Sequence, residues 1–267
     1  MDRKGIVADF LQRCIDYSEA SITRKQERGD TEEIDSWKTY QEFTKHALME
    51  IHTGKLDLWF ENQKPTELKQ PKRIDVQALE HKERAEWLSG ILSPRPLVLA
   101  STKSSEGLGN LAPLTSVMAV STKPPLMIAS LSQDKNGRQR DTMNNLRETK
   151  KAILHMMPST LDAVDWVDNA GSPIPPGESE WDLTGLEANE DEPMLVKQAV
   201  AAIEVEYIEE VKLPDAVAKL VVLKVTHIWT SLDQAPLSGL DVLCQHGLDR
   251  LTPSPENWAK TIDKHYG

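Results

Sequence analysis

The chain has 267 residues, a formal net charge of −11 and a hydrophobic content of 39%. This length exceeds that of most single domains and the apolar content suffices for a packed core, so we expect one principal domain with an appended one rather than a disordered chain. Nucleic-acid binding depends mainly on Lys and Arg that neutralise backbone phosphates, and a pI near 5.2 opposes it. A nucleic-acid partner is therefore not expected.

The cysteine and histidine content argues against disulfide frameworks and metal sites. Cys14 and Cys244 are the only cysteines and lack CxxC spacing, so free thiols in a reducing compartment are expected. The seven histidines are scattered without HxxxH, HxH or HExxH spacing, so no metal site is predicted. The sequence contains no run of about 18 uncharged apolar residues. We therefore expect a cytoplasmic protein with no membrane partner.

Helical periodicity begins close to the N-terminus. Apolar residues recur at three- and four-residue steps over 7–18, and again over 34–51 after a Gly-Asp-Thr break. Asp30 or Thr31 is a candidate N-cap of the second segment, and Gly54 is a candidate C-terminal stop. The pattern predicts two amphipathic helices.

A change in composition marks the end of this helical region. Residues 61–72 are rich in Lys, Glu, Gln and Pro, which is typical of a linker. A short helix is predicted next, over 75–88. We therefore assign 1–80 to a helical N-terminal extension with its linker, and 81–267 to a second domain.

The second domain is rich in segments of strand length. Six apolar or alternating runs are mostly bounded by Pro, Gly or polar clusters, and they lie at 97–100, 116–120, 126–131, 152–156, 200–208 and 219–229. Several strands with only short helices between them favour a closed antiparallel barrel over a doubly wound sheet. The segment 164–191 contains SPIPPGESE and few periodic apolar residues, so we predict a long functional loop there.

A glycine-containing segment follows the first predicted strand. The letters GLGNLA at 107–112 match the GxGxxA dinucleotide fingerprint, which requires a helix that opens at its glycines. Pro113 and the β-branched Thr115 favour an extended chain instead. We therefore interpret the glycines as a hairpin turn, after which Asn-Leu-Ala-Pro brings backbone amides close to a ligand.

The segment Arg140-Asp141-Thr142 opens a predicted helix. A hydroxyl near a helix N-terminus, beside an arginine, supplies free N–H groups, a favourable dipole and several donors, which suit a dianionic phosphate. Arg138, one turn away, is a candidate second phosphate ligand. The alternative is an Asp141 N-cap with Arg140 in solvent.

Three further polar residues allow both a structural and a functional interpretation. Ser101 and Thr102 are hydroxyl residues at a strand end, which are common in any β protein. Arg95 lies between two prolines that constrain its backbone, so it is either a ligand or interface residue or part of a structural element. We interpret His155, in the apolar run ILHMM, as a core or interface histidine.

The order of these motifs, SPRPLVLAST, GLGNLAPLTSV and RDT, resembles the flavin reductase-like, FMN-binding split-barrel family over about residues 85–250. The resemblance implies a mainly β protein with α, a Greek-key-like split β-barrel that binds FMN noncovalently, and a homodimer. It also implies an oxidoreductase that uses NADH or NADPH as donor and a small-molecule electron acceptor. The residues predicted to bind the cofactor are Arg95, Ser101, Thr102, Asn110, Ala112, Pro113, Thr115, Arg140, Asp141 and Thr142.

The sequence departs from the family pattern at two places. The family commonly has aromatic residues around the hydroxyl after Ala-Pro, as in APFSFF, whereas this chain has APLTSV. Arg140 stands where the family typically has lysine, which keeps the charge. Whether His246 or the loop 172–180 contacts the flavin stays open, and the sequence identifies no catalytic residue.

Three functions are compatible with these observations. The leading hypothesis is an NAD(P)H-dependent flavin reductase. The second is an FMN-binding electron carrier or flavin-storage protein without nicotinamide turnover. The third is a nonenzymatic interaction protein whose barrel is degenerate.

Overall fold

The computed structural model describes residues 3–30, 33–60, 68, 71–134, 136–175, 177–236 and 239–254. The chain forms two compact units, Met1–Ile74 and Asp75–Gly267. The assignment of 1–80 and 81–267 as functional domains stays a prediction. No helix in the described ranges is long and apolar enough to cross a membrane.

The described part of the first unit contains three helices, α1 (Arg3–Glu27), α2 (Ile34–His52) and α3 (Asp57–Phe60). The two long helices pack together, as their periodicity predicts, and small polar residues lie in the contact. The buried hydroxyls of Ser18 and Thr44 donate to carbonyls of their own helices, those of Ile15 and Tyr40, each at 2.7 Å. These bonds satisfy the hydroxyls without a cross-helix partner, so the helices can approach closely.

The start of α2 differs from the prediction. Its N-cap residue is Glu33, with φ 70° and no side-chain cap bond. Asp30 instead pairs with Lys25, and Thr31 lies outside the described residues. At the other end Gly54 adopts a left-handed φ of 78° and donates to the Ile51 carbonyl, so the glycine ends the helix as predicted.

The second unit begins with a short 3₁₀ turn, Val76–Ala78, and helix α4 (His81–Ile91). The single helix predicted over 75–88 is therefore wrong in its first part. Asp75 accepts a hydrogen bond from the Gln77 amide at 3.0 Å and closes the turn. The predicted linker 61–72 lies mostly outside the described residues.

Ten strands and three helices make up the remainder of the described second unit. The helices are α5 (Asp141–Thr149), α6 (Leu161–Ala170) and α7 (Trp181–Thr184). The strands are β1 (Arg95–Pro96), β2 (Val98–Lys103), β3 (Gly109–Leu114), β4 (Val117–Thr122), β5 (Pro125–Leu131), β6 (Lys151–Met156), β7 (Ala201–Lys212), β8 (Lys219–Thr230), β9 (Leu243–His246) and β10 (Arg250–Pro253).

Seven strands form one antiparallel sheet in the order β3-β2-β6-β7-β8-β5-β4. A flat sheet of this size would be roughly 29 Å wide, at about 4.8 Å per strand. Its two edge strands are joined by only Thr115 and Ser116, which span at most roughly 11 Å between Leu114 and Val117. The sheet must therefore roll up until its edges approach, and it closes without a ladder between β3 and β4. A second sheet has the order β1-β9-β10.

Strand β2 is buried on both faces. Val98 and Ala100 join the core inside the rolled sheet, where Met143 of α5 also packs. Leu97 and Leu99 flank them in sequence and join a second core, formed with α6 and Leu243. This double burial explains the continuous apolar run in the sequence.

Two sequence predictions concern loops. Gly107, with φ 93°, makes the predicted turn between β2 and β3, and the chain continues extended as predicted, although Gly109 already belongs to strand β3. The predicted long loop 164–191 contains the end of α6 and all of α7. Asp162, Asp165 and Asp168 of α6 are exposed and form a solvated acidic face.

Candidate functional site

Four buried polar side chains meet where β2, β3 and α5 come together, and we call them the amide–hydroxyl cluster. They are Thr102, Asn110, Thr142 and Asn145, of which none is more than 7% exposed. The Asn110 Nδ2 donates to Thr102 Oγ1 at 3.2 Å and to Thr142 Oγ1 at 3.1 Å. The Asn145 Nδ2 donates to Thr102 Oγ1 at 3.0 Å. The cluster thus ties two strands to the first turns of a helix.

Local geometry explains this convergence. Thr102 and Asn110 are direct partners in the β2–β3 register, so their side chains point to the same face. Thr142 and Asn145 are three residues apart on α5 and share its buried face. The two threonine hydroxyls accept these bonds, and in the described part of the chain neither donates one. Each hydroxyl therefore keeps a proton that it can offer to a ligand.

The start of α5 lies beside the cluster and carries positive charge. Arg140 is the N-cap residue, with extended backbone and no side-chain cap bond, and its side chain is exposed. Asp141 is thus the first helical residue rather than the N-cap of the alternative interpretation. Arg138 lies 3.5 Å from Asp134 and 3.7 Å from Asp141 in exposed ion pairs. The first N–H groups of a helix have no intrahelical acceptor, so this rim can bind an anion.

The segment Ser179–Trp181 covers the outer edge of β3, and we call it the β3 clamp. The Ser179 hydroxyl donates to the Gly109 carbonyl at 2.7 Å, and the Leu111 amide donates to the Glu180 carboxylate at 3.1 Å. A Cβ on Gly109 would lie 3.1 Å from the Trp181 ring, so this approach favours glycine. Burial raises the pKa of Glu180, against the opposing effect of its backbone hydrogen bonds. The clamp satisfies edge groups that would otherwise be exposed.

We expect Glu180→Ala to lower the free energy of unfolding by about 1–2 kcal/mol, because it leaves the Leu111 amide without its acceptor. Glu180→Gln retains an acceptor oxygen and should cost less. Glu178→Ala is the matched control, since Glu178 is exposed and nearby. Urea unfolding of the three variants measures the difference, and equal losses for Glu180→Ala and Glu178→Ala would contradict the clamp.

Two predicted cofactor ligands are engaged elsewhere. Because side chains alternate along a strand, Ser101 lies on the face of β2 opposite Thr102. Its hydroxyl donates to the Met194 carbonyl at 2.6 Å. Arg95 donates to the Gln245 side chain and to the Gly247 carbonyl, so it attaches β1 to the segment around β9. Both side chains have protein partners away from the amide–hydroxyl cluster.

The remaining predicted residues lie along β3 and its junction with β4. Ala112, Pro113 and Thr115 are half-buried, and Pro113 lies near Gly171 at the end of α6. The structure thus brings Thr102, Asn110 and Thr142 together beside Arg140 and Asp141. The sequence analysis missed Asn145, although its position three residues after Thr142 was a usable signal.

His155 is a core residue, as predicted. Its Nδ1 bonds to the Leu99 carbonyl at 2.8 Å, and the Val196 amide donates to its Nε2 at 3.0 Å. An amide can only donate, so Nε2 carries no proton and the ring is the neutral Nδ1–H tautomer. Burial lowers the pKa of His155 to about 4, although the Leu99 bond opposes this effect.

Several solved structures share this architecture. Nitrilotriacetate monooxygenase component B from Bacillus cereus superposes with a TM-score of 0.64 at 21% identity, covering 72% of this chain and 100% of that one. The 2-nitrobenzoate 2-nitroreductase NbaA from Pseudomonas fluorescens gives a TM-score of 0.62 at 17% identity, covering 73% and 98%. Flavoredoxin of Desulfovibrio vulgaris gives a TM-score of 0.53 at 17% identity, covering 64% of this chain and 92% of that one. At these identities the likeness shows the split-barrel fold.

Curated relatives and a family model match the same region. An uncharacterized protein of Halalkalibacterium halodurans is 31% identical over 114 residues, which are 43% of this chain and 54% of that protein. The uncharacterized protein YwrF of Bacillus subtilis is 32% identical over 108 residues, 40% and 51% of the two chains. This chain thus spans about half the length of these relatives. The flavin reductase like domain model matches residues 91–241, more than half of the chain, so the protein belongs to the flavin reductase-like family.

Proposed function

We propose that the protein binds FMN noncovalently, with its phosphate at the start of α5, and acts as an NAD(P)H-dependent flavin reductase or a related FMN oxidoreductase. The observation that carries this proposal is the amide–hydroxyl cluster beside Arg138 and Arg140. Family membership supports the flavin. An FMN-binding protein from Thermus thermophilus has a similar fold, with a TM-score of 0.52 at 19% identity.

The donors at the start of α5 fit a phosphate monoester. The Thr142 hydroxyl, the first helical N–H groups and an arginine side chain together supply neutral and charged donors, as a dianion requires. The Asp141 carboxylate opposes an anion, but Arg138 lies 3.7 Å from it and offsets its charge. Arg140 is exposed and can turn toward a ligand. The Arg95 Nη2, by contrast, already donates to Gln245 and to the Gly247 carbonyl, away from the start of α5.

This assignment gives the cofactor and the protein different roles in the proposed reaction. Bound FMN would supply the redox chemistry, namely hydride and electron transfer between a reduced nicotinamide and an acceptor. The protein's own residues bind the phosphate and orient the ring. Ala112, Pro113 and Thr115, which are half-buried at the β3–β4 junction, line the ring in this proposal. This chemistry does not require a general acid or base from the chain.

We also propose a homodimer. Large apolar side chains are exposed on the barrel strands, including Met118 and Val120 of β4, Ile208 and Val211 of β7, and Ile228 of β8. Exposed apolar surface of this kind is typical of protein–protein interfaces. A second copy is the expected occupant because the resemblance to the family implies a homodimer. Light scattering of the parent and of Met118→Lys tests this arrangement, and a monomeric parent would contradict it.

The absorption spectrum tests the proposed function directly. Purified protein supplied with FMN should retain flavin absorption after desalting, and it should then oxidise NADH or NADPH in the presence of an acceptor. Retained flavin without nicotinamide oxidation would point to an electron carrier or storage protein. Failure to retain FMN at all would overturn the proposal and favour the nonenzymatic alternative.

We expect riboflavin to bind much more weakly than FMN, because the proposed anchor is a phosphate site. FAD should bind only modestly less well than FMN, since no adenine pocket is predicted. The loss of charge-assisted bonds to the phosphate corresponds to roughly tenfold to a hundredfold in affinity. Parallel titrations with the three flavins measure this difference. Equal affinities for riboflavin and FMN would contradict the phosphate assignment.

A further inference from the structure

The N-terminal helical unit contains a concave site with aromatic walls. A cavity of about 390 Å³ is lined by Tyr17 of α1, by Ser36, Trp37 and Tyr40 of α2, and by Glu33 at the start of α2. All five residues lie in the unit Met1–Ile74. The amide–hydroxyl cluster belongs to the other unit, and the proposed flavin chemistry does not use this cavity.

The three rings form walls rather than a stack. The Tyr17 and Trp37 ring centroids are 5.9 Å apart with planes tilted by 54°, and those of Trp37 and Tyr40 are 6.2 Å apart and nearly perpendicular, at 82°. Tyr17 is 61% exposed and Tyr40 is 45% exposed, so these ring faces are not used up by packing. The face of an aromatic ring carries negative charge density, so exposed rings that line a cavity can attract a cation.

One carboxylate and two cationic side chains lie around these rings. Glu33 lines the cavity, makes no cap bond to α2, and has a carboxylate that is 68% exposed, with Lys25 3.3 Å away. The guanidinium of Arg24 lies 5.9 Å from the Tyr17 centroid, so one of these rings already holds a cation of the chain itself. An anion would face the ring quadrupoles, whereas a cation that enters the cavity competes with Lys25 for the Glu33 carboxylate.

The ring of Tyr40 is also held in its neutral form. Its hydroxyl makes a hydrogen bond with the Cys14 thiol, which raises the pKa of Tyr40. The Tyr40 backbone carbonyl accepts the buried Thr44 hydroxyl at 2.7 Å, which fixes this turn of α2. Contacts from both α1 and α2 thus hold Tyr40 in place in the absence of a ligand.

We propose that this cavity binds a small quaternary ammonium compound, of the choline or betaine type. Such a cation is weakly hydrated and carries methyl groups, so it can be enclosed by aromatic rings at small desolvation cost. A purely apolar ligand would not use the Glu33 carboxylate. The volume of about 390 Å³ lies at the small end of the range for small-molecule pockets, which suits a compact ligand rather than a polypeptide.

Calorimetric titration of the full chain with choline and with tetramethylammonium tests the site. Both should bind saturably, and 3,3-dimethylbutan-1-ol, the neutral carbon isostere of choline, should bind about tenfold or more weakly, because it lacks the charge. No saturable binding of either cation would overturn the proposal. Equal binding of the neutral isostere would also overturn it, since the cavity would then be only an apolar groove.

Matched variants locate the site. Trp37→Leu keeps an apolar side chain but removes the aromatic face, and it should weaken choline binding by about tenfold. Glu33→Gln removes the charge at nearly constant volume and should also weaken choline binding. Trp59→Leu is the control, because Trp59 belongs to the same unit, is 80% exposed and does not line the cavity. Choline affinity that is unchanged in both Trp37→Leu and Glu33→Gln would place the ligand elsewhere. Circular dichroism establishes that each variant keeps its helices.

Titration with a trimethyllysine peptide distinguishes a small-molecule ligand from a methylated protein partner. If the ligand is a small molecule, the peptide should bind no more tightly than choline through the same Trp37-dependent site. Much tighter binding of the peptide would assign the cavity to a methylated protein partner and overturn the small-molecule proposal.

Discussion

Replacing Arg140 and Thr142 together by alanine is expected to weaken FMN binding by roughly tenfold to a hundredfold, because charge-assisted hydrogen bonds to a phosphate are worth about 1.5–3 kcal/mol. Arg140 is exposed beside the start of α5, and the Thr142 hydroxyl keeps a proton for a ligand. The double variant should still fold, since Asn110 retains its bond to Thr102. Titration of FMN by flavin fluorescence measures the change in affinity.

A matched pair on the same helix serves as control. Arg147 and Thr149 lie near the C-terminal end of α5, where Arg147 pairs with Glu210 at 2.9 Å and the Thr149 hydroxyl donates to the Asn145 carbonyl. Arg147→Ala with Thr149→Ala repeats both substitution types about 10 Å along the helix. FMN affinity should be unchanged in this control. Parent-like affinity in the Arg140 and Thr142 double variant would show that the phosphate is not held at the N-terminus.

The folded protein should lose stability as the pH falls from 6.5 toward about 4, because His155 is buried as the neutral ring. Its pKa is lowered on folding, so in this interval the unfolded chain binds a proton that the native state excludes. The stabilising contribution is therefore complete above the unfolded pKa of 6.5 and is lost as the pH falls toward the folded pKa of about 4. The full loss corresponds to roughly 3 kcal/mol. Urea unfolding across this pH range measures it.

A pair of histidine variants separates this effect from the titration of carboxylates. His155→Gln removes the titrating group, so its stability should be lower near neutral pH but should fall less steeply on acidification. His81→Gln is the control, since His81 is exposed at the start of α4, and it should keep the parent slope. Parallel pH dependence in the parent and in His155→Gln would contradict the assignment.

The local elements could be predicted from the sequence because their signals are local. Helical periodicity at 7–18 and 34–51 gave α1 and α2, and apolar runs gave β2 and β4 to β8, because burial of one or both faces determines which side chains a strand must carry. The family motifs likewise predicted the split barrel. Short strands such as β9 carry too few residues to show any period, so the sequence did not reveal them.

The site depended on the tertiary structure. Strand alternation sends Thr102 to the amide–hydroxyl cluster and Ser101 to the Met194 carbonyl, and because both faces of β2 are buried, no sequence pattern distinguishes them. The partner of Arg95 is Gln245, 150 residues away, which only the pairing of β1 with β9 brings close. The sequence by itself determined α1, α2, β2, β4 to β8 and the start of α5. Long-range pairing, which no local pattern encodes, decided which polar groups share a buried site.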